Sequence, residues 1–380
     1  MKKIILLLLI LITEISYSQT NEYKGYLEEL YVARQPSPRA EAMGRGHVAD
    51  NQNDFGSFYN PALTSLSEGL NINTSFSSKF FYSDSAFYNY FGASYKLKNI
   101  GSFSLSKYRF DYGQEFYVTT AFEPEGTGEK YRIYYDIYTL NYSREIIKDF
   151  YAGLNVNFVD NHNPDLASVP KTEKNLVTAF DIGLLKKFRF AASADNSVSH
   201  SVNAGLSVNN FTSSKFVFKS TEAGVTYTSD AYLPVIFRLG GSYYFIQMGN
   251  KLRKNGEQFS ILAHLEYEKI LNTAKYETYK AGAEFKLFDI LALRLGWLSR
   301  NSHGTSSVFA YNTDEFTDLI YGAGVKIPVD LIFKINTPVS LMVDYVNLKH
   351  PQRFSNTGNV QPEFKRHSTL GISLNWVPGL

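Results

Sequence analysis

The side chains able to do acid–base or metal chemistry are few and dispersed. The seven histidines are His47, His162, His200, His264, His303, His350 and His367, and no two stand at the spacing of a metal-binding pair. None of the 380 residues is cysteine, which removes thiol nucleophiles, thiolate metal sites and disulfides together. The most suggestive constellation is His264, Glu266 and Glu268, titratable groups at alternate positions. On an extended strand that spacing puts all three on one face, where they could form an acid–base or metal cluster. The interleaved Ile261, Ala263, Leu265 and Tyr267 are apolar, so the simpler reading is a strand with lipid on one side and a polar interior on the other. Arg238, Lys280, Glu284, Lys286 and Arg294 point to a mixed-charge interior network paired across strands. With no G-x-S-x-G elbow, phosphate-binding loop or dinucleotide fingerprint, the expectation is a non-enzymatic chain without cofactor or metal. A formal net charge of +2 and the lack of a long basic run argue against a nucleic-acid partner.

Such faces need strands, and from about residue 70 onward the hydrophobic period is two. Val202, Ala204, Leu206 and Val208 alternate with Asn203, Gly205, Ser207 and Asn209. Ala152, Leu154, Val156 and Phe158 alternate with Gly153, Asn155 and Asn157, and the pattern recurs at 291–300 and 369–376. Soluble sandwiches alternate too, but three features favour a membrane. The expected strands, of about 9 to 13 residues, suit a tilted crossing. The polar faces are rich in Gly, Ser and Asn, as a crowded or hydrated lumen would be, and the apolar faces often end in Tyr, Phe or Trp. Strands are expected near 70–79, 87–98, 101–110, 131–145, 150–160, 176–187, 200–210, 233–245, 258–268, 277–287, 290–299, 319–327, 339–347 and 367–376. The fold class is therefore all-β, an antiparallel transmembrane barrel of about fourteen strands.

Loop lengths check that count. The tightest connections, Lys98-Asn99-Ile100, Ile146 to Asp149, and Phe288-Asp289, all share one parity. The long polar stretches Asp111 to Lys130, Asn161 to Asn175, Arg300 to Asp318 and Lys349 to Arg366 all have the other. Short periplasmic turns and long outside loops are the habit of outer-membrane barrels, and an even strand count leaves both termini periplasmic.

The chain begins with Lys2-Lys3, an aliphatic stretch from Ile4 to Ile12, and Ser16-Tyr17-Ser18, which reads as a signal peptide over residues 1–18. Residues 19–69 do not alternate and are expected to form a hatch or plug, with 70–380 as the barrel. The lumen of a fourteen-strand barrel is wider than its own side chains fill, so something should plug it. The segment contains Arg39-Ala40-Glu41-Ala42-Met43-Gly44-Arg45-Gly46-His47-Val48-Ala49, then Tyr59-Asn60-Pro61-Ala62. Gly44 and Gly46 permit positive φ or close backbone approach, and Asn60-Pro61 is a turn signal.

This pattern resembles the FadL-like superfamily of outer-membrane barrels, in particular its PorV/PorQ-like branch associated with type IX secretion. Those proteins carry a stretch of the form R-A-x-x-M-G-G-A-x-x-A followed by Y-N-P-A. Arg39, Ala40, Met43, Gly44, Ala49, Tyr59, Asn60, Pro61 and Ala62 fall on it. Arg45-Gly46-His47 stands where the family often has small residues, and Leu63 replaces the usual Gly. Gly-Asp and Trp-Asn-Pro forms associated with the central secretion shuttle are also lacking, so the chain reads as a relative of that shuttle. The resemblance implies a structural hatch built from Arg39, Ala40, Met43, Gly44, Gly46, Tyr59, Asn60, Pro61 and Ala62. It further implies a Gram-negative outer-membrane protein in contact with membrane lipid, acting as an accessory of type IX secretion or gliding that docks secretion-system proteins or secreted cargo. The alternative is FadL-type uptake of a hydrophobic compound. That reading needs an apolar chamber, whereas the lumen faces read as polar and Gly-rich.

Overall fold

In a computed structural model, the structure describes residues 35–52, 55–80, 83–117, 130–162, 171–172, 176–190, 197–222, 225–250, 256–272, 276–302, 316–335, 337–352 and 363–377. Residues 1–34, which include the stretch expected to be a signal peptide, lie outside these, as do the central parts of the long loops read from the sequence. The alternating segments form strands β1 (Leu70–Phe80), β2 (Ser83–Leu97), β3 (Gly101–Tyr117), β4 (Lys130–Ile147) and β5 (Phe150–His162). After the two-residue β6 (Lys171–Thr172) come β7 (Leu176–Arg189), β8 (Val198–Asn209), β9 (Lys215–Glu222), β10 (Val225–Tyr232) and β11 (Ile236–Asn250). The chain continues through β12 (Gly256–Ile270), β13 (Tyr276–Leu287), β14 (Leu291–Ser302), β15 (Phe316–Pro328), β16 (Val339–Gln352) and β17 (Glu363–Trp376).

All but β6, β9 and β10 close into one barrel of fourteen antiparallel strands, with β1 pairing β17 through Leu70↔Trp376 and Ser77↔Thr369. Closure pairs every strand on both sides, which is what allows a sheet to cross a bilayer. The outward positions are apolar and bare: Leu105, Leu265, Leu293, Leu319 and Phe91 are each more than half exposed. Inward positions on the same strands are buried and mostly polar or small. This inversion is the signature of a transmembrane barrel, and no helix among the described residues is long and apolar enough to cross a membrane.

The short turns take left-handed backbone conformations, at Asn99 (φ 66°), Asp149 (φ 60°), and Phe288 with Asp289 (φ 55° and 56°). The consecutive positive φ values at Phe288 and Asp289 make a tight turn in the three-residue β13–β14 connection, closed by Ile290 N–H donating to Leu287 O at 3.0 Å. At the other rim the strands outrun their expected ends. The β3–β4 ladder resumes beyond an irregularity at Asp111/Glu115 and reaches Tyr117↔Lys130, so the ends of the stretch read as a loop from Asp111 to Lys130 are strand. The structure also adds an element the sequence reading lacked, a three-stranded sheet in the order β10-β9-β6, with β6 between β5 and β7 in the chain and β9 and β10 between β8 and β11.

Ahead of β1 the chain makes helix α1 (Pro38–Ala42), helix α2 (Gly56–Tyr59) and a 3-10 helix (Pro61–Leu66). Side-chain caps start α1 and the 3-10 helix. Ser37 Oγ accepts from Ala40 N, with Pro38 in the first turn of α1. Asn60 Oδ1 accepts from Ala62 N, ahead of Pro61. Helix α3 (Val329–Phe333) joins β15 to β16 at the short-turn rim.

Candidate functional site

The segment from Gln35 to Ser67 is buried almost throughout, because it is wound inside the barrel against the lumen faces of the strands. Glycines make the room. A methyl group added at Gly296 would strike the backbone of Met43 and Gly44, one at Gly282 would strike Met43, and one at Gly205 would strike Val48. On the other side, Gly153 lies against Pro61 and Gly183 against Asn60. Their registers align: Gly282 pairs with Gly296, and Gly153 with Gly183. The Gly-rich polar faces thus supply a belt on which foreign backbone can rest. Gly44 itself has φ +72°, and any side chain there would meet the carbonyl of Ala281 and the backbone of Trp297.

Ion pairs fasten the first half of the segment. Arg39 is completely buried and grips two carboxylates. Its Nε and Nη2 donate to Glu284 on β13 at 2.9 and 3.0 Å, and its Nη1 and Nη2 to Asp50 at 2.7 and 3.3 Å. Glu284 also receives Arg294 Nε at 2.6 Å, and Arg294 reaches Asp344 at 2.6 Å, so the chain of charges runs from the segment to β16. Burial alone would raise the Asp50 carboxyl, but Arg39 and His47 overcome it and hold the group well below the usual carboxylate range. The chain then turns, and Glu266 Oε2 accepts the backbone N–H of both His47 and Val48, at 2.7 and 2.8 Å. Lys280 bridges Glu266 and Glu268 at 2.9 and 2.8 Å, and Arg238 joins Glu268 at 2.6 Å.

The His264–Glu266–Glu268 constellation therefore is brought together on the lumen face of β12, with each member already engaged. His264 Nε2 donates to the Met43 carbonyl at 2.7 Å, and both glutamates are neutralised by cations. Arg238, Lys280, Glu284, Lys286 and Arg294 belong to this network, with Lys286 at 3.6 Å from Glu284. Among the described residues no group of three or more His, Cys, Asp or Glu is arranged to hold a metal ion. His162, at a strand end, stacks on Tyr134 with ring centroids 4.3 Å apart, and His200 is within 2.6 Å of the Tyr243 hydroxyl. His303 lies outside the described residues.

Amides fasten the second half. Asn60 is a hub whose Nδ2 donates to Val48 O at 2.7 Å and to Leu184 O on β7 at 3.0 Å. Tyr59 hydroxyl accepts from Ser37 N at 3.1 Å, tying the two halves together, and its carbonyl accepts from Ser207 at 2.8 Å. Asn141 donates to Pro61 O at 3.1 Å, and Asn155 donates to Ser57 O and Asp181, both at 2.8 Å. Ala40, Met43 and Ala62 are wholly buried fillers, and Gly46 sits under the His264 ring. Asn141, Asn155, Asn157 and Asp181 were not singled out from sequence. Their signal was present, since they share the Gly and Ser face of their strands.

Above this plug, toward the long-loop rim, the lumen changes character. Tyr88, Tyr90, Tyr108, Phe110 and Tyr135 point inward and pack against Phe55 and Phe58 of the plug. Tyr88 stacks on Phe110 at 4.7 Å and on Tyr108 at 5.4 Å, while Phe55 meets Tyr90 at 4.9 Å. Phe216 of β9, fully buried, closes the cluster from above. Rings of β2, β3 and β4 thus add an apolar, aromatic patch above the plug to the polar, Gly-rich interior expected from the sequence, and buried polar groups such as Arg238, Glu268 and Asp318 remain on other strands. The Gly, Ser and Asn positions lie at the level of the plug, and the same strand faces turn aromatic beyond it: Ser94 and Gly92 lead to Tyr90 and Tyr88.

No family model and no curated protein matches the chain. Among solved structures, it is similar to the TodX deltaS2S3 mutant monoaromatic hydrocarbon channel, with a TM-score of 0.47 and 11% identity over 89% of this chain and 97% of that one. A Pseudomonas aeruginosa FadL homologue gives 0.46 and 11% over 91% and 99%. LpxR from Salmonella typhimurium gives 0.36 and 8% over 80% and 99%.

Proposed function

We propose that the barrel is an outer-membrane channel for a hydrophobic compound, with residues 35–67 as its gate. The observation that carries this reading is the cluster of buried rings packed between the β9–β10 hairpin and the plug. Buried rings inside a water-facing lumen serve no purpose in lipid contact, but they offer an entering apolar molecule a place to leave water. Phe55, Phe58 and Tyr59 of the gate pack into this cluster, so a ligand that parts the rings also pushes on the segment that blocks the way. The glycine belt and the Arg39 and Asn60 contacts hold that gate shut in the absence of a ligand.

The test is uptake by a deletion strain complemented with the parent or with a Tyr88→Ala/Phe110→Ala variant, supplied with a panel of fatty acids and monoaromatic hydrocarbons. At least one compound should accumulate faster with the parent than with the variant or with no complement. Equal uptake of every compound by all three strains would overturn the reading. The resemblance of the Arg39–Ala62 pattern motivates a second role, as a type IX accessory docking a partner or cargo. The residues that carry that resemblance are buried in contacts with the barrel wall, so any such partner would have to recognise other surfaces.

A further inference from the structure

The lipid-facing wall is not uniformly filled. On the outer side of β2–β5, in the half nearer the short turns, lies a hollow of about 520 Å³. Its lining is almost wholly apolar: Leu70, Ala93, Tyr95, Leu105, Leu140 and Leu154 are among the residues around it. The strand registers explain the shape. Ile72, Ala93, Leu105, Leu140 and Val156 form one outward row, in which Ala93 is a gap. The next row toward the turns is Leu70, Tyr95, Phe103, Tyr142 and Leu154, whose rings stand beside that gap, with Phe103 and Tyr142 centroids 5.0 Å apart. One row further, Leu97 pairs with Gly101 and Arg144 with Ala152. Arg144 therefore stands directly turnward of Tyr142, flanked by the two smallest side chains of that row. It is exposed and has no ion-pair partner among the described residues, and exposed Lys98 lies in the adjoining β2–β3 connection.

We propose that this hollow and Arg144 together are a seat for one anionic phospholipid, its acyl chain in the hollow and its phosphate against the guanidinium. Two observations commit the site to that occupant. The hollow is continuous with the bare apolar band that the bilayer covers, and the cation stands at the turnward end, where headgroups begin. Guanidinium is suited to phosphate because its fork of donors matches two oxygens at once. A peptide or soluble partner would have no route to a surface enclosed by lipid on every other side. This site is separate from the ring cluster and holds whether or not a compound passes through the barrel.

Native mass spectrometry of the refolded, detergent-solubilised chain tests it, after incubation with phosphatidylglycerol or phosphatidylcholine of equal chain length. Heat-modifiable migration on gels certifies that each variant is folded. The parent is expected to retain phosphatidylglycerol over phosphatidylcholine by about fivefold, the worth of one interfacial cation. Arg144→Gln should abolish that preference while leaving phosphatidylcholine retention unchanged. Ala93→Phe, which fills the gap from the lipid side, should lower retention of both lipids. Equal retention of the two by the parent would overturn the anionic specificity, and retention unaffected by Ala93→Phe would overturn the hollow as the seat.

Discussion

Removing the Arg39 guanidinium is the sharpest perturbation of the proposed gate. In the parent, Arg39 is completely buried and neutralises Glu284 and Asp50 together. Truncating one partner of a buried ion pair costs roughly 3–5 kcal/mol, chiefly because the other partner is left charged and unsolvated. Glu284 keeps Arg294 at 2.6 Å and Lys286 at 3.6 Å, so its loss is cushioned. Asp50 keeps His47 at 3.0 Å and the N–H groups of Asn51 and Gln52 at 2.6 and 3.0 Å. The lower end of the range applies, about 3 kcal/mol, and the loss falls on the docked gate because the strand partners stay paired with each other. Since the chain has no cysteine, Val48→Cys provides a unique reporter at a position 1% exposed in the parent. Labelling of that thiol by a water-soluble maleimide in refolded protein reads the fraction of time the gate is undocked. Arg39→Ala should accelerate it by roughly 100-fold, the factor that corresponds to about 3 kcal/mol. Adding Asp50→Asn should recover part of the loss, because the stranded charge is then gone. Arg39→Lys should fall between, as an ammonium cannot hold both carboxylates with a planar fork. Acceleration below about threefold in folded Arg39→Ala barrels would refute the claim that this network holds the segment in place.

Three further outcomes follow from the same geometry. Gly296→Ala should raise Val48→Cys labelling while leaving the barrel heat-modifiable, because the new methyl strikes Met43 and Gly44; Gly241→Ala, whose methyl would meet only Asn203 O at 3.5 Å, should leave labelling unchanged. Asn155→Ala leaves Ser57 O without this donor and takes one donor from Asp181, and should lower gate stability by about 1–3 kcal/mol, read as faster hydrogen exchange in residues 55–62. The depressed Asp50 carboxyl sets a pH window: its contribution is complete above the ordinary value of 3.8 and is lost only as pH falls through the lower docked-state value. Hydrogen exchange of residues 40–52, corrected for its intrinsic pH dependence, should therefore be flat from pH 8 to about 4 and accelerate only in stronger acid; acceleration beginning near pH 6 would contradict it.

The barrel was legible because a closed sheet in lipid writes its geometry into the sequence twice, once as alternation and once as loop parity. Leu293 and Leu295 against Arg294 and Gly296 tell which side is lipid, and Asn99, Asp149 and Asp289 mark the tight rim. What alternation cannot carry is height along the strand. Gly92 and Tyr88 share a lumen face, yet one clears space for the Tyr90 ring and the other packs in the ring cluster above the plug, and period two treats them alike. The same limit concealed the β9–β10 hairpin, whose Phe216 is apolar for the sake of rings contributed by strands distant in sequence. The gate residues were visible as a motif, but their partners were not, because Glu284 lies 245 residues from Arg39 and becomes its neighbour only once the barrel has closed. Glycine was the signal most open to misreading. Gly205, Gly282 and Gly296 look like a lumen kept open for water, and in the folded chain they are where the lumen is most tightly filled. A Gly-rich strand face in a wide barrel is thus better taken as the imprint of backbone packed against it, and the residues to either side of that imprint show where the interior is free to change its chemistry.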